Sequence, residues 1–111
     1  MLRDDAYMLD ILDSARIALQ HVAGKTQADF DTDIQCQDAV IRRFEIIGEA
    51  AGRVSEETKQ KYSHLPWKEM KYFRNLVIHR YDSVDYSQVW GTVQNDLPVL
   101  IEELEKILPN Q

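Results

Sequence analysis

Apolar residues recur along most of this chain at the three- and four-residue spacing of a helix face. Tyr7, Ile11, Ala15, Ala18 and Val22 form the first stripe, with Met8, Leu12 and Leu19 widening it. They predict a helix from about residue 4 to 23 that stops near Gly24. Residues 26–33 are polar and acidic and read as a loop or a single turn. Val40, Phe44, Ile47 and Ala51 then place a second long helix over 34–54. Ser55 followed by Glu56 and Glu57 has the form of a short helix start, a hydroxyl to cap and carboxylates at the positive end of the helix dipole. Pro66 suits the first turn of a third long helix, where its missing N–H costs nothing, and that helix runs to His79 or slightly beyond. The segment from Asp82 to Asp85 breaks the pattern, and Asp85 can cap a last helix over 86–108. Inside that helix Pro98 removes a backbone donor, which predicts a kink or a local break. No strand-length alternation and no internal repeat is present. The expected fold is an all-α bundle of four main helices plus one or two short helices, built as a single domain over 1–111.

Composition changes this picture little. A chain of 111 residues can bury one core, and 44% hydrophobic with 29% charged residues is ordinary for a globular protein and argues against disorder. The longest apolar run, Leu97 to Ile101, is far too short to cross a bilayer, and no signal-peptide pattern opens the chain. A cytoplasmic protein without a membrane partner is the expectation. The single cysteine, Cys36, cannot form an internal disulfide and reads as a small buried hydrophobe.

Charge changes it more. The net charge is −6, which taken alone speaks against nucleic acid as a partner. Residues 1–41 hold three basic groups against eight acidic ones, and residues 82–111 hold one against six. Between them, residues 42–81 hold nine Lys/Arg against five Glu, a basic island of +4. Such an island can attract an anion locally, or its lysines and arginines can simply solvate helix surfaces.

The end of that island, MKYFRNLVIHRYD at residues 70–82, is where chemistry concentrates. Met70, Phe73, Val77 and Ile78 have the spacing of a core-facing stripe, yet Arg74, Asn75, His79, Arg80 and Tyr81 crowd among them. On one regular helix Arg74 and His79 lie about 140° apart around the axis. Either the helix ends near His79 and the chain bends back, or two copies of the helix meet across a two-fold axis and combine their residues. An arginine, an amide and a histidine at one site suit a phosphodiester: the guanidinium fork donates to phosphate oxygens, and the imidazole can move a proton at a ribose 2′-hydroxyl. His21, His64 and His79 are scattered, so no metal-ligand spacing accompanies them, and no cofactor is expected. Structural roles compete with each assignment, namely His79 as a partner of a helix C-terminus, Arg74 in an ion pair and Tyr81 in the core.

Arg74-Asn75, then His79 and Tyr81, spell R-x4-H-x-Y. Together with FEIIGEAA (44–51), LPW (65–67) and a late DLP (96–98), this order and spacing resembles the HepT-like toxins of the HEPN superfamily. The resemblance implies a two-fold homodimer and a metal-independent endoribonuclease acting on cellular RNA, tRNA or mRNA. It implies Arg74 and His79 as catalytic residues meeting between protomers, with Asn75 supporting them. It also implies an antitoxin partner, the MntA-type minimal nucleotidyltransferase, which transfers AMP from ATP to Tyr81. Added AMP would bring negative charge and bulk beside Arg74 and His79. Arg80, between His79 and Tyr81, and Lys71 are the candidate RNA contacts. Glu45 and Glu49, in the matched second-helix block, could approach the site, with a solvated or ion-paired role the stronger expectation, and Trp67 and Trp90 are expected to serve core or interface. A different class of function remains: a non-catalytic HEPN-like module that binds a nucleotide or scaffolds a nucleotidyltransferase, even as the antitoxin. Intact Arg74 and His79 favour cleavage, because a scaffold has no need of both.

Overall fold

Two long helices, α1 (Leu2–Val22) and α3 (Ile34–Arg53), pack along one another at the centre of the bundle. A computed structural model describes residues 2–78 and 84–109, with Leu2 and residues 75–78 described through their backbone alone. Short helices α2 (Gln27–Asp31) and α4 (Glu56–Lys61) flank α3, and α5 (Trp67–Ile78) packs on its outer side. The last helical rod is α6 (Tyr86–Gly91), a π turn (Thr92–Asp96) and α7 (Leu97–Ile107), and α7 covers α1. The bundle thus has four main helical rods and two short helices, with no strand among the described residues.

Each start follows from local chemistry. The Asp33 carboxylate accepts from the Cys36 N–H at 3.0 Å and caps α3, while the Lys25 ammonium pairs with it at 3.0 Å. The Cys36 N–H first and Lys25 second hold the Asp33 carboxyl below its usual range. The polar stretch 26–33 folds into α2 through a capping box in which Thr26 and Asp29 each accept from the other's backbone N–H. Phe30 anchors this turn, fully buried 5.5 Å from the Trp90 ring and edge-on to Tyr86. Asp85 caps α6 through the Gln88 N–H, 3.1 Å away.

The α-helical pattern of the last rod is interrupted locally just before Pro98, as its missing donor predicts. One turn of i→i+5 bonding precedes it, and the Leu97 N–H donates to the Thr92 carbonyl. The proline ring would clash with the carbonyl four residues back, and the widened turn makes room for it.

The core runs through α1, α3, α5 and α7, with Met8, Ile11, Leu12, Phe44, Ile47, Met70, Leu97 and Leu104 fully buried. Phe44 of α3 stacks on Phe73 of α5 at 4.9 Å between ring centres. Met70 and Phe73 therefore face the core as their spacing predicts. Cys36 is buried, its thiol donating to the His21 carbonyl at 3.4 Å.

Candidate active site

Gly48 sets how α5 meets α3. A Cβ at this position would lie 2.6 Å from the Arg74 Cβ, 2.8 Å from the Arg74 nitrogen and 3.1 Å from the Met70 carbonyl oxygen. The absence of a side chain lets the two backbones touch where Arg74 leaves α5. Arg74 itself is exposed, and it forms no ion pair with any described residue.

The space beside this contact is a groove of about 510 Å³ between α3, α4 and α5. Lys71 and Arg74 line it from α5, Arg53 from α3 and Lys59 from α4. Gly48 and Gly52 contribute backbone, and among the described residues Glu49 and Glu56 are the carboxylates that line it. Glu49 pairs with Arg53 at 3.2 Å, as expected for an ion-paired surface acid, and Glu56 lies 3.9 Å from Lys59. Among the described residues that line it, four cations stand against two carboxylates, +2 in a chain of −6.

Helix α4 is held in place by a residue far away in sequence. The Asp4 carboxylate, buried in the first turn of α1, accepts from the Ser55 N–H at 3.1 Å. It accepts as well from the Ser55 and Thr58 hydroxyls, both at 2.6 Å. Ser55 Oγ in turn accepts from the Thr58 N–H at 3.2 Å, capping α4. The Ser55 hydroxyl first and the Thr58 hydroxyl second pull the Asp4 carboxyl below its usual range. This clamp fixes the helix that carries Lys59.

Of the residues singled out in the sequence, Arg74 and Lys71 meet at this groove. Asn75 follows Arg74 on the α5 backbone, and His79, Arg80 and Tyr81 lie outside the described residues. His21 and His64 do not line the groove; His64 faces Glu103 at 3.6 Å. Trp67 and Trp90 are half-buried against the core, the Trp67 indole donating to the Tyr62 carbonyl at 3.0 Å. Sequence reasoning passed over Gly48, Arg53 and Lys59. A glycine inside an otherwise strong helical stripe was the available signal for the first. No linear signal joins Arg53 and Lys59 to Arg74. Among the described residues, no three His, Cys, Asp or Glu side chains gather as metal ligands would. No helix among them is long and apolar enough to cross a membrane.

Comparison with known proteins extends these observations. The chain is 43% identical over 102 residues to a Methanocaldococcus jannaschii protein whose name gives it gamma-glutamylcyclotransferase and, provisionally, RNase activity. The match covers 92% of this chain but 46% of that protein, so the chain spans about half the length of this relative. A second M. jannaschii protein, named provisionally as an RNase, is 36% identical over 90% of this chain and 92% of its own length. The Thermococcus cleftensis protein named "Probable ribonuclease HepT" is 36% identical over 91% of this chain and 92% of its own length. No solved structure matches significantly. Residues 11–107 match the family described as "Ribonuclease HepT-like". The chain belongs to the HepT-like ribonuclease family.

Proposed function

We propose that this chain is a metal-independent endoribonuclease, the toxin of a HEPN and nucleotidyltransferase pair, acting on cellular RNA in the cytoplasm. The observation that carries the reading is Arg74: exposed, seated directly on Gly48, and lining a cationic groove in a chain of ribonuclease ancestry. Helix α5 packs on α3 at one side of the bundle, and its Lys68, Glu69, Lys71 and Tyr72 are exposed. That leaves a face on which a second copy can seat, bringing each Arg74 toward the other copy's His79.

In this scheme His79 takes the proton of a ribose 2′-hydroxyl, and the freed O2′ attacks the adjacent phosphorus. The bond from phosphorus to O5′ breaks, leaving a 2′,3′-cyclic phosphate, and the second copy's imidazole returns a proton to O5′. Arg74 stabilises the charge that builds on the phosphate oxygens, and Asn75 supports the pair. Arg80 and Lys71 contact neighbouring phosphates. Tyr81 is the off-switch. Its phenol oxygen attacks the α-phosphate of ATP on the partner nucleotidyltransferase, pyrophosphate leaves, and the O-linked AMP blocks RNA by charge and bulk.

The test is cleavage of bulk tRNA in EDTA by protein expressed without a partner, beside an Arg74→Ala, His79→Ala double variant. Cleavage by the parent alone, with cyclic phosphate ends, is the expected result. Equal behaviour of the two proteins, with intact mass showing Tyr81 unmodified, would refute it and favour a non-catalytic module.

A further inference from the structure

We propose that Arg53 and Lys59, which come from α3 and α4 outside the R-x4-H-x-Y segment, bind backbone phosphates of the RNA strand flanking the cleaved bond. The proposal rests on the ribonuclease reading above and extends that site by two residues.

The geometry points to an anionic ligand that runs on from Arg74. Arg53 and Lys59 line the same groove as Lys71 and Arg74, so cations from three helices converge on one space. Lys59 is built in: its side chain is 21% exposed, and α4 beneath it is fixed by the Asp4 clamp. Its nearest carboxylate, Glu56, is 3.9 Å away and 84% exposed. That distance exceeds a hydrogen bond, so the Lys59 ammonium keeps donors for a ligand. Arg53 meets Glu49 through one nitrogen only, at 3.2 Å, which leaves most of its five N–H donors for phosphate oxygens.

The lining also says which anion fits. At Gly52 nothing lies within 4 Å of where a Cβ would be, so a ligand backbone can come close to α3 there, one turn beyond the Gly48–Arg74 contact. Among the described residues no apolar side chain lines the groove, which gives a docking protein segment no buried anchor there. A sugar-phosphate strand needs no such anchor. The groove volume of about 510 Å³ lies within the range of ligand-sized clefts, roughly 300–1,000 Å³.

The experiment compares the full chain with Lys59→Met, Arg53→Gln, their double variant and Glu56→Gln. Lys59→Met keeps the covered stem and removes the charge, and Arg53 is 60% exposed, so neither disturbs the core. The probe is a single-stranded RNA oligonucleotide made uncleavable with 2′-O-methyl groups, its Kd measured over a range of NaCl concentrations. Each neutralised cation should lower the slope of log affinity on log salt by about 0.7. Glu56→Gln should tighten binding. With cleavable RNA the loss should fall on KM, whereas Arg74→Ala should fall on kcat.

A folded double variant with wild-type slope and wild-type KM overturns the proposal, while loss of cleavage in Arg74→Ala leaves the ribonuclease reading standing. Wild-type protein that neither binds the oligonucleotide nor cleaves RNA overturns both. A double variant that keeps its RNA slope and loses binding to an acidic protein overturns the proposal too, and assigns the groove to that protein. If Lys59→Met fails to fold, the slope of Arg53→Gln alone decides.

Discussion

Replacing Gly48 by alanine tests whether the contact between α3 and α5 positions Arg74. An alanine in a helix interior is ordinarily about 0.5–1 kcal/mol better than glycine. Gly52, one turn along the same face, should show that gain, because nothing lies within 4 Å of its Cβ position. At Gly48 the same methyl would stand 2.6 Å from the Arg74 Cβ and 2.8 Å from the Arg74 nitrogen. Carbon atoms pack at about 3.5–4.0 Å, so α5 must retreat by roughly 1 Å. The obstacles are backbone and Cβ, not the end of a flexible chain. Retreat also opens the Phe44–Phe73 stack, now 4.9 Å between centres, and the packing of fully buried Met70. Overpacking of this kind costs about 1–3 kcal/mol, which outweighs the helix gain. A displacement of about 1 Å at a catalytic group can cost on the order of 100-fold in rate. Urea titration should therefore show Gly48→Ala less stable than wild type and Gly52→Ala more stable, at an unchanged denaturant slope. Cleavage of tRNA by Gly48→Ala should fall by roughly 10- to 100-fold under conditions where it is fully folded. Two variants alike in stability would refute the packing argument. A destabilised Gly48→Ala with full activity would refute the positioning argument alone.

Three further outcomes follow from the packing. Asp4→Ala should cost about 1.5–3 kcal/mol at neutral pH, since a buried carboxylate leaves two hydroxyls and an N–H behind. The Asp4 carboxyl is held below its ordinary value, so its contribution is fully present above about pH 4 and is lost as pH falls through the folded pKa. The stability gap between wild type and Asp4→Ala, read by urea midpoints from pH 7 downward, should accordingly close in acid; a constant gap would count against the clamp. Phe30→Ala should cost about 3–5 kcal/mol by thermal or urea unfolding, because the ring is fully buried between α2 and α6. Cys36 should react with a thiol reagent only as the protein unfolds, and rapid reaction of native protein would contradict its burial.

How far the sequence could be read depended on the range of the interaction. Helix starts are local: Asp33, Ser55 and Asp85 each cap through a neighbour three residues on, and each could be read from the residue types alone. The core face of α5 was equally legible through Met70 and Phe73. The polar stretch 26–33 was not, because its structure hangs on one apolar residue, Phe30, whose partners Tyr86 and Trp90 are more than fifty residues away. Pro98 signalled a disturbance but not its form; a π turn and a kink relieve the same clash. At the candidate site, Arg74 and Lys71 were visible as a motif and its flank. Arg53 and Lys59 were visible only as charges, since their convergence depends on Gly48 bringing α5 onto α3 and on Asp4 holding α4.

The same distinction resolves the objection that an acidic chain makes a poor RNA binder. Fourteen of the nineteen carboxylates fall in residues 1–41 and 82–111, the segments that carry α1, α2, the first two turns of α3, α6 and α7. The groove is built from α3, α4 and α5, where the basic island lies. Exposed charges further away than about 8 Å are largely screened at physiological salt. A phosphate in the groove is therefore governed by Arg53, Lys59, Lys71 and Arg74 and by two exposed carboxylates, not by the formal −6 of the chain. Net charge still acts at long range, where it opposes polyanions approaching from the acidic faces. On the proposed function, an acidic exterior around this cationic groove would restrict where RNA can settle while leaving its contacts at that place intact. On this view the negative flanks contribute to selectivity, and the island is the part of the chain that has to be read as the site.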